Sequence, residues 1–322
     1  MDPRLAAELA YAEELADQDR SEATRRAYCN DLAALQRYLA SRGQAPTLPI
    51  DPLLISAFVG YQATRDRQTG QPRNKISTIE RRLVGISAAH RDAGFPDPCS
   101  DPRVRRALHG ARRLLPEAPT KKQHLELQDL DRMLRSLFPT SHSARRDRAL
   151  LLVGIAGALH PSELVAIDAG DIAPAPEGII LTVREREPDQ DSAGYQIAIA
   201  LGDREDMCAV RALQAWMTGA DIRDGPVFVR VRRGDQLSTD RLTDRSVGLI
   251  VKKHCERVGL DRKPFAAHSL RSGGITAARR NGHSEEEIAK LSRHRNLVVL
   301  REYIDRADDF DGVAQVLRND RR

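Results

Sequence analysis

Apolar residues recur at three- and four-residue steps through most of this chain, the pattern of helices that each bury one face. In "NKISTIERRLVGISAAHRDAG" the stripe is Ile76, Ile79, Leu83 and Ile86; Arg81, Arg82 and Arg91 lie largely off it, and Gly94 supplies the stop. The same reading predicts helices from Ser21 to Arg42, closed by Gly43, and from Asp101 to Leu115, the latter rich in arginine. "LLPEAPTKKQ" holds two prolines and no periodic pattern, so a linker is expected at 116–122, between a unit over 1–115 and one over 123–322. Beyond it, helices are predicted over Leu127–Phe138, Ser143–Leu159, Asp206–Thr218, Thr239–Val258, Ala266–Asn281 and Ser284–Arg293, with two short ones after Asn296. Strand alternation is convincing only in "GIILTVRERE" and "YQIAIAL", which read as a hairpin across "PDQDSAG". The expected fold is mainly α in two domains, the second carrying a small β-sheet or hairpin.

Composition narrows the function classes. The chain has 322 residues, 41% of them hydrophobic, enough for two cores. Its 51 basic residues, mostly arginine, slightly outnumber 46 acidic ones, for a net charge of +5. That excess points toward a polyanionic partner, although an arginine-rich face is also an ordinary solvated surface. Arginines on the helix faces of the first unit, Arg81, Arg82, Arg105, Arg106, Arg112 and Arg113, are the candidates for contacting a DNA backbone. Cys29, Cys99, Cys208 and Cys255 are scattered, which supports neither a disulfide framework nor a metal knuckle. The acidic N-terminus has no basic-then-apolar signal, and "ALLLVGIAGAL" falls short of the ~20 residues that span a bilayer. A cytoplasmic protein without membrane contact is expected.

Candidate chemistry concentrates in "AAHSLRSGGITAARRNGHSEEEIAKLSRHRNLVVLREYID". His268 and Arg271 are three residues apart and share one face of a helix, so both can grip one phosphate. His294 and Tyr303 are nine apart, the reach of a turn and a short helix. Breaking and rejoining DNA without a high-energy cofactor requires storing the phosphodiester energy in a bond to the protein. A tyrosine can hold that bond, but its phenol has a pKa of about 10, so the attacked phosphate must be held in line and its developing charge neutralised. Each of these signals alone arises readily by chance; their order and spacing together carry the argument.

The chain resembles the tyrosine recombinase (phage integrase) family over nearly its whole length. "IAGALHPSELVAI" is similar to that family's first box, "HSLRSGG" to its His-x-x-Arg box, and "LSRHRNLVVLREYI" to its last two boxes. "TVREREPDQDSAGYQIAI" is similar to the hairpin that carries the family's lysine. The resemblance implies a helical core-binding domain followed by a catalytic domain, closing as a clamp around double-stranded DNA. It further implies a homotetramer on paired sites and no required metal or cofactor. Carried over residue by residue, it makes Tyr303 the nucleophile, Arg271 an arginine of the phosphate clamp, and His268 and His294 the histidines beside it. Integration, excision or resolution of a mobile element would be the role.

Two positions depart from the pattern. His160, followed by Pro161, stands where the first box has arginine, and an imidazole offers no bidentate cationic fork at neutral pH. Glu187 stands where the hairpin has lysine, and a carboxylate repels phosphate and has no proton to give. Arg184 and Arg186 are possible replacement cations on the same hairpin. Two readings therefore compete within the family, a strand-transferring recombinase and a DNA-binding relative that no longer cleaves. A third, a metallohydrolase using His268, His283 and His294, lacks an HExxH-type array or a carboxylate at ligand spacing.

Overall fold

A computed structural model of the protein describes residues 22–66, 70–115, 123–138, 140–184, 194–294, 297 and 300–301. The chain divides into two compact units with a boundary between Thr120 and Lys121. In the first, α1 (Glu22–Ala40) packs on α3 (Ile76–Asp92), and α2 (Pro52–Ala63) packs on α4 (Pro102–Leu114). Asp51 and Asp101 cap α2 and α4 by accepting from the N–H groups of Leu53 and Arg103, and a proline fills the first turn of each, where a missing N–H costs nothing. Leu35, Leu39, Ile55, Phe58, Ile79, Leu83, Ile86 and Val104 fill the core between them. Gly43 and Gly94 follow α1 and α3 with φ of 67° and 75°, the left-handed conformation that stops a helix cheaply at glycine.

The second unit is built around α6 (His142–Ala156), whose residues Ala149 to Val153 are all buried. It packs against α8 (Ala209–Gly219) and α10 (His268–Arg280), while α5 (Leu127–Ser136), α7 (Pro161–Ala166) and α9 (Asp244–Arg257) complete the core and α11 (Glu285–Ser292) rests on α10. Trp216 of α8 is fully buried and donates its indole N–H to the Val227 carbonyl at 2.8 Å. Three antiparallel strands lie in sequence order: β1 (Ile172–Ala175), β2 (Gly178–Val183) and β3 (Tyr195–Ala200). In β3, Ile197 and Ile199 are buried opposite Leu181 and Ile179, while Gln196, Ala198 and Ala200 face outward. A separate antiparallel pair joins β4 (Val229–Val231) to β5 (Leu237–Arg241). Two sequence expectations are corrected here. The helix predicted from Thr239 begins only at Asp244, because Thr243 caps it by accepting from the Ser246 N–H and the polar residues before it pair as β5. The hairpin is not the whole of the sheet structure, since β1, with Pro174 inside it, lacks the alternation that would reveal it.

Candidate active site

The site is assembled where α10, the turn between α6 and α7, and the end of α11 meet. Gly274 of α10 sits so close to the Ile155 carbonyl of α6 that a Cβ there would collide with it, and a Cβ on Gly273 would stand 2.5 Å from the Leu125 carbonyl. The glycine pair thus lets α10 lie against the core and brings Arg271, one turn before Gly274, under the α6–α7 turn. Its guanidinium donates to the Ala158 carbonyl at 3.0 Å and to the Ser292 carbonyl, and stands 3.5 Å from His294 Nδ1. Arg271 is only 11% exposed.

His160 occupies the N-cap of α7. Its Nδ1 accepts from the Ser162 N–H at 3.3 Å, with the Ser162 hydroxyl 2.7 Å away, so the proton of the neutral ring falls on Nε2. Glu163 completes a capping box by accepting from the His160 N–H at 2.7 Å. The rings of His160 and His268 meet edge to face with centroids 4.6 Å apart. Burial, the neighbouring His268 and the Arg271 charge push His160 down to about 4. Burial, Arg271 and Arg293 push His294 down to about 4 as well. His268 presents an exposed edge, yet desolvation of the rest of the ring and Arg271 lower its pKa too. At neutral pH the positive charge of the cluster therefore comes from guanidinium groups.

A second guanidinium, absent from the sequence reading, belongs to Arg293. It reaches Glu163 at 2.6 Å and the Ala158 carbonyl at 3.3 Å, sharing the carbonyl with Arg271, whose Nη1 lies 3.8 Å from Glu163. Its only sequence signal is adjacency to His294, since Glu163 lies 130 residues away. Ser292, fully buried, puts its hydroxyl 2.7 Å from His294 Nδ1 and orients that ring. Burial raises the Glu163 carboxyl, but the hydrogen bond and charge of Arg293, the His160 N–H and Arg271 together hold it below the usual carboxylate range.

Arg271, His268, His294 and His160 are thus brought together, whereas Tyr303, Glu187 and Arg186 lie outside the described residues. Arg184 is engaged elsewhere: it bonds Asp171 at 2.6 Å and stands 3.7 Å from Asp168. In the first unit, Arg81 pairs with the buried Asp31 at 2.5 Å, Arg82 bonds Gln62 and approaches Asp31 at 3.8 Å, and Arg112 bonds Glu80 at 2.7 Å. Arg82 is half-buried in its own unit's packing, whereas Arg81, Arg105, Arg106, Arg112 and Arg113 are exposed. His283 is exposed and pairs with Glu287 at 3.4 Å. Among the described residues no three His, Cys, Asp or Glu side chains are grouped to hold a metal, and no helix is long and apolar enough to cross a membrane.

A family model described as the phage integrase family matches residues 123–309, which include every residue of this cluster. The chain belongs to the phage integrase family. An integrase/recombinase XerD homolog of Selenomonas ruminantium is 37% identical to this integrase-family chain over 240 residues, covering 73% of the chain and 70% of that protein. A tyrosine recombinase XerC of Herpetosiphon aurantiacus is 30% identical over 208 residues, or 63% of the chain and 61% of the relative. Among solved structures, the Tn1549 transposon integrase in complex with transposon right end DNA superposes with a TM-score of 0.60 at 14% identity, covering 96% of this chain and 97% of that one. A lambda integrase dimer bound to a core site gives a TM-score of 0.56 at 16% identity, with 92% and 93% coverage. These likenesses establish a mainly helical, two-domain tyrosine recombinase fold for this integrase-family member.

Proposed function

We propose that the protein is a site-specific DNA recombinase that cleaves and rejoins double-stranded DNA through Tyr303. The phenol oxygen attacks phosphorus, the bond to the 5′-oxygen breaks, and a 3′-phosphotyrosine ester and a free 5′-hydroxyl result; attack by another 5′-hydroxyl reverses the step and releases the tyrosine. The observation that carries this reading is the convergence of Arg271, His268 and His294 beside the α6–α7 turn in a chain of this family. Arg271 would neutralise charge growing on the phosphorane, and the neutral histidines would donate or accept hydrogen bonds around it. Assembly as a homotetramer on paired sites, the domain limits at 1–115 and 123–322, and a place in mobile-element movement belong to the same proposal.

A second reading, a DNA-binding homologue with impaired cleavage, is favoured by one observation, the capping of α7 by a neutral His160 where the family pattern has a cation. A nicked suicide form of the protein's own DNA site distinguishes the two. Under the first reading a covalent complex accumulates with the natural protein and disappears with Tyr303→Phe, while DNA affinity changes little. Sequence-specific binding with no covalent complex under any condition establishes the second.

A further inference from the structure

Glu163 has one carboxylate and two guanidinium neighbours. Arg293 holds it at 2.6 Å through Nη2, with Nε 3.4 Å from the other oxygen, whereas Nη1 of Arg271 stands off at 3.8 Å. Both arginines also donate to the Ala158 carbonyl, so the two head groups are neighbours around the same acceptors. Arg293 is 6% exposed, and its remaining donors are spent on the carbonyls of Leu291 at 2.6 Å and Gly157 at 3.4 Å. Its backbone closes α11 with φ of 57°, a left-handed conformation that is unfavourable for a side-chain-bearing residue. Something must offset that cost, and the contacts with Glu163 are the strongest available.

We propose that Arg293 is a positioning residue of the strand-transfer site: it occupies the Glu163 carboxylate and so keeps that carboxylate from neutralising Arg271, whose charge is then directed at the attacked phosphate. The inference rests on the recombinase reading above. Charge counting supports it. Two guanidinium groups and one carboxylate leave the trio with one net positive charge; without Arg293, Arg271 and Glu163 cancel. With arginine missing at position 160, the site has no other guanidinium among the described residues on these acceptors. A carboxylate released from Arg293 is already next to Arg271 and lies in a partly desolvated place where an ion pair is tight.

A plain structural role for Arg293, tying the end of α11 to the α6–α7 turn, would involve the same hydrogen bonds, so the test must separate the two. Arg293→Ala should slow covalent trapping on the suicide site by about 100-fold, the scale of a lost cationic contact in phosphoryl transfer, with DNA affinity within about threefold of the natural protein. Adding Glu163→Gln to Arg293→Ala removes the competing carboxylate and should recover about tenfold or more of that loss. Recovery is the deciding result, because removing a second bond from an already loosened turn cannot restore a structural tether. A double variant no faster than Arg293→Ala, or an Arg293→Ala protein as fast as the natural one, overturns the proposal. Should Arg293→Ala fail to fold, Arg293→Gln, which retains donors for the carbonyls but not the charge, takes its place in the same comparison. Calorimetric titration with inorganic phosphate reads the clamp without cleavage, and should show about tenfold weaker binding in the single variant and recovery in the double. If the natural protein traps no DNA, the recombinase reading fails, and the phosphate titration still decides the role of Arg293; equal binding by all the proteins, or none by any, refutes it.

Discussion

His160 does two incompatible jobs. As the cap of α7 it must keep Nδ1 unprotonated to accept from Ser162, and in the place of a phosphate-clamping arginine it would need to be positive. Replacing it with arginine should therefore show opposite effects in two assays. His160→Arg together with Glu187→Lys is expected to raise the rate of covalent trapping by about 10²–10³, with each change alone recovering less if the groups act as a unit. In urea the same His160→Arg change should lower stability by about 1 kcal/mol through the lost cap. Trapping by the natural protein that the pair does not improve would show that the site already has its full complement of cations, Arg293 being the nearest at hand. At this scale the sequence was informative where partners are close along the chain: His268 and Arg271 share a helical turn, and His294 lies two residues after Ser292, whose hydroxyl meets its ring. It was silent on Arg293 and Glu163, whose partnership spans 130 residues, and on the bonds that Arg81, Arg82 and Arg112 make to Asp31, Gln62 and Glu80. A periodic pattern shows which side of a helix is polar, but not which polar groups face a neighbouring helix.

Helix α10 is the element on which the site depends, and its docking is steric. Gly274→Ala should press against the Ile155 carbonyl, lower stability by about 1–3 kcal/mol and displace Arg271, so that covalent trapping falls even at temperatures where the variant is fully folded. Gly110 of α4 gives the contrasting case, because a Cβ there meets nothing within 4 Å. Gly110→Ala should raise stability by about 0.5–1 kcal/mol, measured as a shift in the denaturation midpoint, without altering cleavage. The long helices were legible because each buries a single stripe. By contrast, α2 is apolar nearly all round in "PLLISAFVGYQA", so no stripe announces it, and β5 is polar "LSTDR", which reads as the approach to a helix until Thr243 is seen to cap the next one. The hairpin was found because β3 buries every second residue.

For the whole molecule, DNA affinity should fall steeply with salt, since arginines such as Arg105, Arg106 and Arg113 displace counterions when they meet phosphates. Binding that is insensitive between low and physiological salt would remove the basis for a backbone-gripping protein. Acid should act on the second unit. His160 and His294 titrate near 4 in the folded protein against 6.5 in the unfolded chain, so as pH falls the unfolded chain takes up protons first. The stability from keeping these rings neutral is fully present above about pH 6.5 and is lost as pH drops toward 4. Arg271, Arg293, His268, Glu163 and Asp244 set the local charge balance around them. Melting temperature should decline from pH 7 to 5, and bound DNA should flatten the decline by placing a phosphate where it favours the imidazolium forms. Finally, the two units divide at Thr120 and Lys121, with Leu35, Phe58 and Ile79 at the heart of one core and Leu150, Trp216 and Phe228 in the other. A chain severed between them would leave each of these cores within one polypeptide. The halves, expressed as separate polypeptides and brought together by a fused pair of dimerising peptides, should regain DNA binding in proportion to how tightly those peptides associate, which would make that binding controllable from outside the chain.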